Sequence, residues 1–142
     1  MLDKLIEILN QGNYSCVIGK GDEIRTFTRR GVIDLFELLN GTDSDFLNGA
    51  SVADKVIGKA AASLLILGGV KEIYASTIST IALDFLHKNG VNAIFGNEVP
   101  HIVNRAHDGW CPLETATFHA STPAESLSAI AEFINNMKSK QH

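Results

Sequence analysis

The segment running from Lys71 to Asn97 constrains the fold most. The run 71-KEIYAST-77 is rich in β-formers, 79-STIALDFLHKN-89 has helical spacing and stops at Gly90, and 91-VNAIFGN-97 is β-type again. A strand, a helix and a strand in so short a span form a βαβ unit with parallel strands. Upstream, 14-YSCVIGK-20 and 23-EIRTFTR-29 flank the turn pair Gly21-Asp22 and predict an antiparallel hairpin. The chain therefore has to build a mixed sheet, and its helical runs have to cover it.

Those runs are easily placed. Leu2, Leu5, Ile6, Ile8 and Leu9 predict a short amphipathic helix ended by Gly12, and 31-GVIDLFELLN-40 predicts a second. The stretch 51-SVADKVIGKAAASLLILGGV-70 predicts a third, with Ser51 as N-cap, Asp54 three residues on in the capping-box position, and Gly68-Gly69 as the stop. Thr122-Pro123-Ala124-Glu125 opens the last helix, which buries Leu127, Ile130, Ala131, Phe133 and Ile134. Helices on both faces of a mixed sheet give an α/β domain spanning residues 1–142, without repeat, linker or low-complexity tract.

Composition narrows the function. The net charge is −4 and no long basic run occurs, Arg29-Arg30 being the one adjacent pair of note, so nucleic acid is not an expected partner. The most apolar run, Ala60 to Val70, is too short to cross a bilayer. Cys16 and Cys111 make no disulfide framework, and no Cys-x-x-Cys or His-x₃-His spacing suggests a metal. A cytoplasmic protein without cofactor is the expectation, and a homo-oligomer is compatible with it.

Two regions carry chemistry. In the predicted helix from Ser51, Lys55 and Lys59 stand one turn apart at the end where the macrodipole is positive. Either they form a solvated edge, or they line a site for a phosphate or carboxylate, and a desolvated lysine there would be a base or nucleophile. The segment 98-EVPHIVNRAHDGWCPLE-114 follows a strand, where parallel α/β units bind ligands. Within it Asn104 and Arg105 are anion ligands by type, Cys111 sits at a helix start that favours its thiolate, and Glu114 is either a proton carrier or a cap. His101, His107 and Trp110 read equally well as ordinary loop and core residues.

The blocks 51-SVADKVIGKAAASLLILGGV-70, 100-PHIVNR-105 and 111-CPLE-114, in this order, resemble the bacterial and archaeal family called domain of unknown function 1893. The resemblance implies a cytidine-deaminase-like fold, a three-layer α/β/α sandwich. It does not imply zinc chemistry here, because neither His/Cys-x-Glu nor Pro-Cys-x-x-Cys stands at a predicted helix start. It does imply that the starts of the helices predicted from Ser51 and after strand 71–77 face one pocket. That pocket would set Asp54, Lys55 and Lys59 opposite Ser76, Thr77 and Ser79, with Asn104, Arg105, Cys111 and Glu114 closing it. The expectation is a zinc-free domain binding a small anionic ligand, a nucleotide or phosphorylated metabolite. In a catalytic version Lys59 or Lys55 polarises the anion, Asp54 or Glu114 moves a proton, and Cys111 is the thiol nucleophile. The alternative is a non-catalytic ligand-sensing or protein-interaction module.

Overall fold

The computed structural model describes residues 1–29 and 32–140; Arg30, Gly31 and the last two residues of the C-terminal KSKQH lie outside the described residues. Along the chain come α1 (Leu2–Gln11), β1 (Cys16–Lys20), β2 (Glu23–Phe27), α2 (Ile33–Asn40), a short 3₁₀ turn (Ser44–Phe46) and β3 (Ser51–Ile57). They are followed by α3 (Lys59–Gly68), β4 (Glu72–Ser79), α4 (Thr80–Lys88), β5 (Ala93–Val99), α5 (Pro112–Thr117) and α6 (Pro123–Lys140).

The strands form one sheet in the order β2-β1-β3-β4-β5. The β1–β2 and β1–β3 pairs are antiparallel, and β3–β4 and β4–β5 are parallel. The expected mixed sheet is present, with two consecutive βαβ units instead of one. Leu5 and Leu9 of α1 pack on Val17 of β1 and Ala53 of β3, covering one face. On the other face buried residues of α2, α3, α4 and α6 share the main core with Ile18, Val52, Ile57, Ile73 and Ile78 of the sheet. This is the three-layer α/β/α sandwich.

The extra strand corrects the sequence reading. Residues Ser51 to Ile57 are not the start of a helix; they are the central strand of the sheet. Val52 and Ala53 are consecutive and both fully buried, one against each layer. A strand covered on both faces loses its alternation, and a short apolar run then looks the same as a buried helix segment. Ser51 is therefore no N-cap: its hydroxyl donates to Glu72 at 2.6 Å on the neighbouring strand. Asp54 is likewise a strand residue and takes no part in a capping box.

The helix begins only after Gly58, and Ala60 to Leu65 are all buried beneath α6 and beside α4. Each of Leu64 and Leu65 contributes about 2 kcal/mol by its burial. The stop is as predicted: Gly69 takes the left-handed conformation at φ 79°, and its N–H closes on Ile66 O. The strand predicted over 71–77 runs on to Ser79, so Ser76 and Thr77 lie on β4 and do not open a helix. Ser79 is the N-cap of α4, its Oγ accepting from the Ala82 N–H at 3.0 Å. The last helix starts as its sequence demands, with Thr122 Oγ1 accepting from Glu125 N–H at 3.2 Å and the Glu125 carboxylate accepting from Ser121 N–H at 2.9 Å.

Candidate functional site

The carboxyl ends of β3, β4 and β5 point to one end of the sheet, and the chain after β5 folds back over it. Residues 101–111 form a tight hairpin-like loop: Val103 bridges Trp110, Asn104 N–H donates to Gly109 O at 2.9 Å, and Cys111 N–H donates to Ile102 O at 2.8 Å. The Asn104 side chain is spent inside this loop, donating to Asp108 Oδ1 at 2.8 Å and accepting from the Asp108 N–H at 3.2 Å. Arg105 stands exposed at its tip. Cys111 precedes the first turn of α5, half-buried, as the sequence placed it.

Glu114, on α5, turns inward and is 2% exposed. Its Oε1 accepts from the Lys59 N–H at 2.7 Å and its Oε2 from the Ile102 N–H at 2.8 Å. The carboxylate thus sits on the first turn of α3, where unpaired N–H groups and the macrodipole favour negative charge. Gly58 makes this approach feasible. A Cβ there would lie 3.0 Å from Glu114 Oε1 and 3.2 Å from Ile102 Cγ1.

Lys59 closes the clamp from the opposite side. It is 6% exposed, and its Nζ donates to Phe118 O at 3.0 Å and Ala120 O at 2.6 Å, 4.7 Å from the Phe85 ring centre. Burial pushes its pKa down, with Lys88 adding to the effect, while Glu114 and Glu125 pull it back. The two lysines are therefore not one stripe: Lys55 is exposed on β3 and Lys59 is buried at the start of α3. One residue of that pair is tied to backbone carbonyls of the chain's own C-terminal segment.

Asp54 belongs to a different group. It is paired in register with Cys16 across the β1–β3 ladder, at 9% and 5% exposure. Burial raises the Asp54 carboxyl to about 7, against the pull of the Val56 and Lys55 N–H groups and the Cys16 thiol. Burial likewise pushes the Cys16 thiol up, and the carboxyls of Asp54 and Asp34 add to it. Asp34, in the first turn of α2, is ion-paired with Arg29, and its Oδ2 is buried with no hydrogen-bond partner among the described residues. Phe27, Arg29, Asp34, Glu37, Leu38 and Thr42 border a cleft of about 260 Å³ beside this group.

The structure thus brings together Lys59 with Glu114, and separately Asp54 with Cys16. Asn104, Arg105 and Cys111 stay on the loop and α5, Ser79 caps α4, and Ser76 and Thr77 are half-buried on β4. Sequence reasoning missed Cys16, Asp34, Gly58 and Ile102. Gly58 alone left a signal, as a helix-breaking residue inside a predicted helix. The resemblance to a family with a deaminase-like fold raises the question of zinc, and among the described residues no three His, Cys, Asp or Glu side chains are grouped to hold a metal.

Comparison with known proteins places this architecture. No curated protein matches the chain. A DUF1893 family protein of known structure from Thermotoga maritima is 26% identical, superposes with a TM-score of 0.84, and matches over 92% of this chain and 88% of its own. RibD of Acinetobacter baumannii aligns over 67% of this chain and 34% of its own, at 18% identity and a TM-score of 0.42. The family described as domain of unknown function (DUF1893) matches residues 4–134. The chain belongs to the DUF1893 family.

Proposed function

We propose that this domain is a non-catalytic interaction module built on a deaminase-like scaffold. One observation carries the reading: the ammonium of Lys59 and the carboxylate of Glu114 spend their hydrogen bonds on the chain itself. An anionic ligand at the α3 N-terminus would have to displace Glu114, and a reaction using Lys59 would have to free its Nζ from two carbonyls. The same C-terminal segment exposes Val103, Trp110 and Phe118 in one patch. His101 stacks on Trp110 with ring centres 4.5 Å apart, and Phe118 meets Trp110 edge-on at 5.4 Å. Aromatic side chains held in this way suit a protein contact, because little side-chain entropy remains to be lost on binding.

The test is a thermal-shift screen of nucleotides, phosphosugars and carboxylates on the wild type and on Lys59→Ala. A module of this kind shows no stabilisation by any of them. A ligand present at a hundredfold excess over its Kd adds about 2.7 kcal/mol. Such a gain in the wild type, lost in Lys59→Ala, refutes the reading and restores the small anionic ligand.

A second reading is favoured by Asp54. A carboxyl poised near neutrality is suited to proton transfer, and Cys16 is its partner. This reading places chemistry at the Cys16–Asp54 pair of β1 and β3, away from Lys59. It requires a ligand whose binding shifts the titration of Asp54, followed by the carboxyl stretch in difference infrared spectra.

A further inference from the structure

The two edges of the sheet are not alike. On one side the sheet ends at β2, where Glu23 and Arg25 are ion-paired and Arg25 also reaches Asp43. Charges on an edge strand deter its pairing with another strand. On the other side it ends at β5, which carries no charge and no proline from Ala93 to Asn97; Glu98 is its one charged residue. Every residue from Ile94 to Glu98 is exposed. Ile94 is 55% exposed and Phe95 39%. Phe95 is in register with Ala75 of the main core, and Ile94 with Tyr74, which packs in the α1 layer, so the two point to opposite faces. Both faces are thus open at the same point of the edge. Among the described residues the β5 backbone bonds only to β4 and, through Val99 O, to the Thr80 hydroxyl. Alternate residues therefore turn their N–H and C=O groups towards the open edge.

The edge is also charged in opposite senses at its two ends. At the carboxyl end Glu98 accepts from the Thr80 hydroxyl at 2.7 Å, which places Thr80 on the β5 side of α4. His87 lies seven residues on, about two turns, and so on the same side of the helix. With Lys88 it makes the last turn of α4 basic, at the end where β5 begins.

We propose that β5 is the dimer edge of this protein: the β5 of a second copy pairs antiparallel with it about a two-fold axis at Phe95, joining the two sheets into one.

An isologous contact has to match itself after a half-turn. With the axis at Phe95, the two Phe95 side chains meet on the α4 face, and each Ile94 falls opposite Gly96 of the other copy, which has no side chain to oppose it. Position 96 is held to glycine from within, since a Cβ there would lie 3.1 Å from Ser76 O. Each Glu98 comes opposite Asn92 of the other copy, beside the basic last turn of its α4. A parallel pair would set Glu98 against Glu98 instead, which is unfavourable. Charge and apolar surface therefore select the same partner and the same direction. This surface is separate from the Trp110 patch, and the inference does not depend on that reading.

Sedimentation equilibrium of the full chain is the first test, at protein concentrations up to about 1 mM. The wild type is expected to form a dimer. Ile94→Lys and Phe95→Lys, both at exposed positions, weaken it by more than about tenfold. Thr26→Lys on the exposed β2 edge leaves it unchanged. Glu98→Lys and His87→Glu each weaken the dimer, and the double variant recovers it. Crosslinking then reads the register in a Cys111→Ser background, where the remaining Cys16 is buried. Residues directly opposite in an antiparallel pair have Cα atoms about 5 Å apart, within disulfide reach, so Phe95→Cys crosslinks on mild oxidation. The two Asn97 positions lie four residues apart along the pair, about 13 Å, and Asn97→Cys does not. A monomer at every concentration overturns the proposal, as does a dimer that Ile94→Lys leaves intact or one that Thr26→Lys breaks. Crosslinking through Asn97→Cys but not Phe95→Cys overturns it as well. If Phe95→Lys does not fold, Ile94→Lys and the charge exchange decide the matter.

Discussion

Replacing Glu114 tests the clamp at the start of α3, and the structure sets the scale of the effect. The carboxylate accepts two backbone N–H bonds at 2.7 and 2.8 Å while 2% exposed. A hydrogen bond to a charged group contributes about 1.5–3 kcal/mol, and a buried donor left without its acceptor costs a similar amount. Alanine removes both bonds, for a gross loss of about 3–6 kcal/mol. Relief of the carboxylate's own desolvation reduces this, so Glu114→Ala is expected to cost about 3–4 kcal/mol. Glutamine keeps one acceptor oxygen but turns an NH₂ donor towards the other N–H, so Glu114→Gln costs about 2 kcal/mol. Urea denaturation reads both as a lower midpoint at unchanged m.

Gly58→Ala sharpens the test. Gly58 has extended geometry, φ −99° and ψ −176°, which any residue adopts, so the cost of a methyl group comes from its contacts. Those are Glu114 Oε1 at 3.0 Å and Ile102 Cγ1 at 3.2 Å. The penalty of Gly58→Ala should therefore shrink in the Glu114→Ala background. Losses below about 0.5 kcal/mol for Glu114→Ala, or additivity of the pair within about 0.5 kcal/mol, would refute the clamp.

Asp54→Asn is expected to change how global stability depends on pH. The folded carboxyl sits at about 7 against an ordinary 3.8, so its contribution is fully present below about pH 4 and is lost as pH rises through 7. The slope is about 1.4 kcal/mol per pH unit at most, and urea midpoints of the variant should lack it. Lys59→Met removes two hydrogen bonds to carbonyls, at 3.0 and 2.6 Å, and is expected to cost about 1–3 kcal/mol, with faster exchange of amides 118–121. Because burial lowers the Lys59 pKa, wild-type stability should gain as pH climbs towards the ordinary 10.5, and Lys59→Met should lose that gain. Thr122→Ala removes the side-chain cap of α6 and is expected to lower stability by about 1 kcal/mol, seen in thermal unfolding.

Which parts of this molecule were readable in its sequence follows from how local their causes are. The β1–β2 hairpin is set by Gly21-Asp22, the β4–α4–β5 unit by Gly90, and α6 by the Thr122–Glu125 spacing, all within a few residues. β3 is the element that sequence reading takes for a helix. Its central place in the sheet buries Val52 and Ala53 on opposite faces, and alternation disappears with the exposed face. That error moved the candidate site. Placing a helix start at Ser51 puts Lys55 and Lys59 on one edge, whereas the strand separates an exposed lysine from a buried one. The partners of Lys59 lie 55, 59 and 61 residues away, and Cys16 meets Asp54 only through the pairing of strands that are not neighbours in sequence. Contacts of that kind have no local signature.

The physical argument that suggested a ligand also explains why the fold does not require one. A helix starting at the carboxyl end of a parallel strand leaves N–H groups unpaired and a positive potential, and something anionic belongs there. In this chain α5 delivers Glu114 to that point, and Gly58 leaves room for it. Lys59 then binds the Phe118 and Ala120 carbonyls at the exit of α5, so the first residue of α3 holds both ends of the segment that carries its own counter-charge. The positive helix end and its lysine are thus satisfied from within the chain, and the buried acid outside this clamp is Asp54, which faces Cys16 across the β1–β3 ladder and whose carboxyl burial raises to about 7.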